Sequence, residues 1–354
     1  MSSTFQQSLL RDLGRTFVAV LLVLLSVALT IIFLRVLGMA TRGMVNPQEI
    51  MLVLVFSVLS QLPLILTLTL LMTVVSVLSR MYRDSEMVIW LTSGRSLLQF
   101  LPPLVRFSWP IWLVVAVLAV AVIPWAQGQT NALRDRYMER GDLQRVEPGQ
   151  FQESADGRRV FYIDGQTEGA SQGSNIFIRV LDAEGRESVT SARSGRLEQS
   201  DSGQYLVLEA GQRMEEGPNG EGVRLIEFAE QRIRVDDAPA QAAASLQVRA
   251  LPTLSLWALG QPVHMAELAW RIGMVLAAMN WIVFVLATAG GNPRSGKGAN
   301  LAFFLLAFVV YYNVSASGQS WVRQGEVGWL PYLLGLHGGF FVLSLGLLWW
   351  RVRR

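Results

Sequence analysis

The run most suggestive of chemistry is Gly291-Asn292-Pro293-Arg294-Ser295-Gly296-Lys297-Gly298. Its glycines and lysine match the G-x-x-x-x-G-K spacing of a phosphate-cradling loop. That loop needs Ser or Thr after the lysine to hold magnesium, and a strand before it and a helix after it in a soluble sheet. Here Gly298 follows Lys297, and long apolar stretches flank the run on both sides. It reads as a tight turn, and no nucleotide site is expected in this chain. The remaining inventory is equally poor in catalysts. There is no cysteine, so no thiolate nucleophile, disulfide or Cys-bound metal can form. The two histidines, His264 and His337, are far apart in sequence, so no metal centre is expected. The carboxylates between residues 128 and 266 are scattered through turn-like segments that hold only His264, at their far end, so no Ser/His/Asp set is expected there. The reading is therefore of a non-enzyme with no cofactor.

What remains is a set of arginines and the elements that must position them. Of the 30 basic residues all but Lys297 are Arg. Of the 354 residues 51% are hydrophobic and only 16% charged, and six long uncharged runs stand out. They are Thr16–Leu34, Ile50–Ser79, Phe107–Leu133, Ile272–Pro293, Gly298–Val322 and Val327–Trp350. Each is long enough to cross a bilayer core, which takes about 20 apolar residues. The third helix is expected to end near Gln127, with the polar stretch Asn131–Arg145 able to continue it. The first run is too long for the apolar part of a signal peptide and lacks a cleavage site. One set of flanks holds Arg11, Arg15, Arg80, Arg83, Arg95, Arg106, Arg294, Lys297, Arg351, Arg353 and Arg354, and the opposite set only Arg35, Arg42 and Arg323. The positive-inside trend then puts both termini in the cytoplasm and the stretch between the third and fourth spans outside, in the periplasm if there is one.

That stretch, residues 128–266, carries 15 Lys/Arg and 21 Asp/Glu, for a net charge of −6, while the rest of the chain carries +9. The overall basicity thus belongs to the membrane flanks and does not point to nucleic acid. Short apolar runs at residues 160–163, 176–180, 205–208 and 223–228, separated by Asp-Gly and Asp-Ser-Gly turns, read as strands of a sandwich or open barrel. The predicted layout is residues 1–127 with three spans, 128–266 as an inserted all-β domain, and 267–354 with three more spans.

Two local features have competing readings. The stretch from Arg80 to Ser96 has Ser85 or Asp84 as a helix N-cap, an apolar face of Val88, Ile89 and Trp90, and Gly94 as its stop. Such a cytoplasmic helix, near residues 84–93, lies on lipid or docks a soluble partner. Arg35 and Arg42, at the outer end of the first span, either snorkel to headgroups or bind an anionic lipid, since the guanidinium fork suits phosphate. Arg271 follows Glu267 by four residues, the spacing of an intrahelical ion pair.

These same stretches resemble the YjgP/YjgQ family, the permeases of the lipopolysaccharide exporter, over essentially the whole chain, and the LptF branch more than the LptG branch. Leu34-Arg35-Val36-Leu37-Gly38 is similar to the end of the family's first span. Tyr82, Ser85-Glu86 and Gly94 are similar to its cytoplasmic coupling helix. Ala266-Glu267-Leu268 with Trp270-Arg271 resembles the start of its fourth span, and Asn292-Pro293-Arg294 with Gly296 the turn after that span. The resemblance implies a β-jellyroll-like insert and an inner-membrane ABC transporter permease that extracts lipopolysaccharide from the outer leaflet and passes it to a periplasmic bridge. It implies an LptG-like second permease, an LptB-like ATPase dimer that hydrolyses the ATP, and an LptC-like bitopic protein as partners. It assigns ATPase coupling to Arg83, Asp84, Ser85, Glu86 and Gly94. It assigns contact with lipid phosphate to Arg35, Arg42, Arg271 and Arg323. A further basic position of the family's first span is occupied here by Ile32.

Overall fold

The computed structural model describes residues 2–41, 45, 47–94, 96–139, 151–153, 159–164, 172–181, 187–200, 203–216, 222–234, 247–289 and 299–353. Arg42, Arg95, the part of Asn131–Arg145 beyond Glu139 and the whole glycine-rich turn at 291–298 lie outside these residues. The chain divides into a helical unit, made of Met1–Leu34, Leu52–Asn131 and Ala244–Arg354, and a second unit, made of Arg35–Met51 and Ala132–Ala243, which holds the sheet.

The six uncharged runs all become helices long and apolar enough to cross a membrane: Gln6–Thr41, Ile50–Arg83, Leu97–Arg134, Pro262–Thr288, Ala299–Gln324 and Trp329–Arg353. Every backbone group must be paired inside hydrocarbon, so an apolar run of this length has helix as its available form. The helices extend past the uncharged runs. α1 is Ser2–Thr41 and α2 is Ile50–Arg83, followed by the short α3, Glu86–Thr92. The third span is α4, Leu101–Val117, a π-turn over Leu118–Val122, and α5, Ile123–Glu139, so it continues well beyond Gln127. A short α6, Thr253–Leu259, precedes the fourth span α7, Pro262–Thr288. The fifth is α8, Ala299–Gln324. The sixth is α9, Trp329–Tyr332, a π-turn over Leu333–Gly338, and α10, Gly339–Arg353.

α7 is the centre of the helical unit and packs on α4, α6, α8 and α10. Trp281 of α7 is fully buried, with its ring 5.7 Å from Phe308, 5.5 Å from Tyr311 and 5.3 Å from Phe340. Several polar side chains within the spans are paired, whereas Ser79 Oγ, Ser108 Oγ and Trp281 Nε1 are buried without a partner among the described residues. Thr67, Thr69 and Thr73 of α2 donate to the carbonyls of Pro63, Ile65 and Thr69. Tyr311 Oη lies 2.6 Å from His337 Nδ1, and Asn280 Nδ2 donates to the His337 carbonyl at 2.8 Å. Gly273 permits that arrangement, since a Cβ there would come within 2.7 Å of His337 Nε2.

The second unit contains an antiparallel sheet of β1 (Phe151–Glu153), β2 (Arg159–Asp164), β3 (Gln172–Leu181), β4 (Glu187–Ser200), β5 (Gly203–Glu216) and β6 (Val223–Arg234). The inserted all-β domain is therefore present. Its strands pair in plain sequence order, a meander, because short connections such as the two residues between β4 and β5 allow only neighbour pairing. One face carries the core: Ile176 and Ile178 of β3, Ala192 of β4, and Leu206 and Leu208 of β5. Small residues let that face close. A Cβ on Gly195 would meet the Ile176 side chain at 2.5 Å, and one on Gly211 would meet the Phe228 ring at 2.4 Å and the Ser191 carbonyl at 2.5 Å. Because that carbonyl belongs to the backbone and cannot swing aside, Gly211→Val is expected to destabilise the β-domain by about 1–3 kcal/mol. Faster proteolysis within residues 151–234, with the helical unit left intact, is the measurement that checks it.

Candidate functional site: a docking helix and a buried arginine knot

One end of the helical unit carries α3. The chain leaves α2 at Arg83, turns through Asp84 and Ser85, and re-enters helix at Glu86. Ser85 is the N-cap, with φ 60°, a left-handed conformation uncommon outside glycine, and its side chain makes no capping bond. Gly94, at φ 85°, ends the helix in the left-handed conformation that glycine adopts without strain. Met87 is fully buried and Trp90 is half-buried against the same core, and together they anchor α3. The apolar face expected from the sequence is thus divided. Trp90 turns inward with Met87, whereas Val88 and Ile89 are 52% and 64% exposed, with Leu91 beside them. Asp84 and Ser85 are exposed and Glu86 half-buried at the start of the helix. Arg83 pairs with Asp84 at 3.5 Å.

The support beneath α3 is polar and specific. Arg80 of α2 pairs with Asp12 of α1 at 2.6 Å. Arg351 of α10 donates to Tyr82 Oη at 2.7 Å and to the Ala287 carbonyl at 3.0 Å, and its guanidinium stands 5.3 Å from the Tyr82 ring centroid. Arg351 thereby satisfies a C-terminal carbonyl of α7 and holds the end of α2 at the same time. Its position, at the charged end of the last span, gave no hint of these partners.

The structure places the candidate arginines very differently from one another. Arg35 is exposed on α1 and makes no hydrogen bond or ion pair among the described residues. Arg323 is half-buried in the last turn of α8. Arg271 is wholly buried. Its Nε donates to Glu267 Oε1 at 3.1 Å, which is the intrahelical pair. Nη1 donates to the Leu251 carbonyl at 3.1 Å and to Thr253 Oγ1 at 2.7 Å, and Nη2 to the Arg249 carbonyl at 3.0 Å. With four bonds made inside the protein and no exposed edge, this guanidinium is occupied in holding residues 249–253 against α7, and the expectation that it meets lipid phosphate does not fit its position. Gln319 of α8 approaches the other Glu267 oxygen at 3.5 Å. Thr253 in turn donates to the Val120 carbonyl of the third span at 2.7 Å. That carbonyl lacks its ordinary helical donor because the residue four positions on is Pro124. Thr253 was not singled out in the sequence. The signal available was a proline four residues after Val120 in an apolar span, which always leaves a carbonyl to be satisfied.

Among the described residues no group of His, Cys, Asp and Glu could hold a metal ion. The fold and these two sites define a multi-pass membrane protein with an inserted β-domain and an anchored helix that presents an apolar face. Residues 8–350 match the sequence profile of the lipopolysaccharide export system permease LptF/LptG family, and the chain belongs to that family. It is 24% identical over 326 residues to the lipopolysaccharide export system permease protein LptF of Escherichia coli K12, an alignment covering 90% of this chain and 87% of that protein. The corresponding proteins of Escherichia coli O157:H7 and Shigella flexneri are similar to the same degree.

Proposed function

We propose that this chain is one permease of an inner-membrane ABC transporter that lifts lipopolysaccharide from the outer leaflet and passes it toward a periplasmic bridge. Both termini and α3 face the cytoplasm, and the β-domain faces the periplasm. The observation that carries this reading is α3. A seven-residue helix fixed from below by Met87 and Trp90 leaves Val88, Ile89 and Leu91 in the open, next to Asp84 and Glu86. A separate ATPase dimer docks on this face and supplies the hydrolysis. A second permease of the same family completes the lipid cavity, and a bitopic protein joins the complex. Extraction has to offset about 0.8 kcal/mol for every acyl methylene withdrawn from the bilayer. A closed apolar cavity between two permeases lowers that cost by replacing the lost lipid contacts. Arg35, and with it Arg42 and Arg323, offers guanidinium groups to the lipid phosphates.

The test is purification of the full-length protein from its own membranes in mild detergent, with mass spectrometry of the accompanying proteins and lipids. A second six-span permease, an ATPase and lipopolysaccharide are expected in the preparation. Their absence from folded protein, together with unchanged surface lipopolysaccharide on depletion, would overturn the proposal.

A further inference from the structure

The sequence places 250–266 in the extramembrane insert, yet this segment contains no Asp, Glu, Lys or Arg. α6 lies within it. Its inward side chain, Leu256, is fully buried with Met265 and Leu268, and Thr253 faces the third span. Its other face is apolar and open: Leu254 is 87% and Trp257 62% exposed, with Leu259 beside them. In water such a face is costly, since each large apolar side chain left exposed forgoes the gain of leaving water.

The depth of α6 is fixed by Thr253. Its hydroxyl bonds to the carbonyl of Val120, which is the middle residue of the uncharged run Phe107–Leu133. At 1.5 Å per residue, Val120 lies about 20 Å along the helix from Phe107 and about 10 Å from Gln127, where the polar residues of the run begin. On the same span Val117, Val120 and Trp125 are exposed, the outward apolar residues of a helix that meets lipid. Arg271 clamps the descending chain at the carbonyls of Arg249 and Leu251, and two residues separate α6 from the start of α7. The segment thus reaches the level of Val120, inside the apolar part of the third span, and returns, with the carbonyls of Arg249 and Leu251 and the Thr253 hydroxyl paired on the protein side and His264 Nδ1 left buried without a partner among the described residues. Non-helical backbone is tolerated at that depth when its polar groups are paired within the protein; Arg271 pairs the carbonyls of Arg249 and Leu251, and backbone N–H groups pair those of Pro252, Leu256 and Gln261.

We propose that α6 is a half-membrane element whose Leu254, Trp257 and Leu259 face is immersed in the acyl chains of the leaflet at the α5 end of the third span. The occupant of this face is lipid, because it continues the lipid-facing surface of the third span at the same depth.

The absence of cysteine makes the test direct. Leu254→Cys and, separately, Trp257→Cys are spin-labelled in the full-length protein, purified with its accompanying subunits and reconstituted in phospholipid nanodiscs. Leu22→Cys on α1 serves as the lipid reference and Val223→Cys on β6 as the aqueous one. The expected result at both α6 positions is collision with oxygen that exceeds collision with a water-soluble nickel complex, as at Leu22 and opposite to Val223, a several-fold difference in their ratio. A ratio like that of Val223 places α6 in water and overturns the proposal. Labels shielded from both reagents show that a protein partner covers the face, and overturn it equally. Neither reading depends on transport activity.

Discussion

Arg271→Met will lower the unfolding free energy of the solubilised protein by about 3–5 kcal/mol, the loss typical of breaking a buried ion pair by removing one partner. The reason lies in what stays behind. Glu267 remains buried on the same face of α7, with the Gln319 amide at 3.5 Å as its remaining partner among the described residues. The carbonyls of Arg249 and Leu251 lose their donor, and Thr253 loses one of its two bonds. Arg271→Lys restores the charge but not the fork, because a single ammonium cannot reach Glu267, Thr253 and two carbonyls in their fixed directions. The double variant Glu267→Leu/Arg271→Met removes the stranded carboxylate and should recover part of the loss, leaving the two unpaired carbonyls as the remainder. Unfolding by SDS in mixed micelles measures all three. A single methionine variant as stable as wild type would mean that the guanidinium does not hold the segment before α7.

The second large effect concerns α3. Ile89→Asp puts a charge at the centre of the exposed apolar face without touching Met87 or Trp90, so the helical unit should fold as before. Central interface positions cost about 2 kcal/mol or more when lost, which corresponds to an association weaker by roughly 30-fold. The ATPase proposed to dock on α3 should therefore fall away from Ile89→Asp during purification while the proposed second permease remains. Glu86→Lys, which reverses charge at the helix start, is expected to act in the same direction. Met87→Ala is the informative contrast, because it loosens the anchor and should lower thermal stability as well as association. Full retention of the ATPase by Ile89→Asp would remove α3 from the interface.

The six spans were legible because uncharged length alone decides them. Their ends were less so, since α5 continues as helix to Glu139, past the polar residues from Gln127 on. The apolar runs at 160–163, 176–180, 205–208 and 223–228 fall within β2, β3, β5 and β6. β4 escaped notice although it pairs along most of its length with both neighbours. Its core positions are Thr190, Ala192 and Gly195, small residues chosen by the close approach of Ile176 and Leu208 rather than by hydrophobicity. The meander order was likewise invisible, because strand patterns do not state which neighbour each strand chooses. In α3 the helix and both its stops were readable from Ser85 and Gly94, but the side facing inward was not, since seven residues carry too little periodicity to fix it. The role of Arg271 turned on partners at 249, 251 and 253, which no spacing rule connects to it.

α7 is tied by arginine at both levels, through its own Arg271 near the start and through Arg351 of α10 at its last carbonyls. It is also the most enclosed span, with 61% of its apolar window buried against 6% for the first. Movement of α7 would break two sets of charged bonds at once, whereas the first span has little packing to lose. Among this chain's own contacts, displacement therefore costs least at the first span and most at α7, the fixed post of the helical unit.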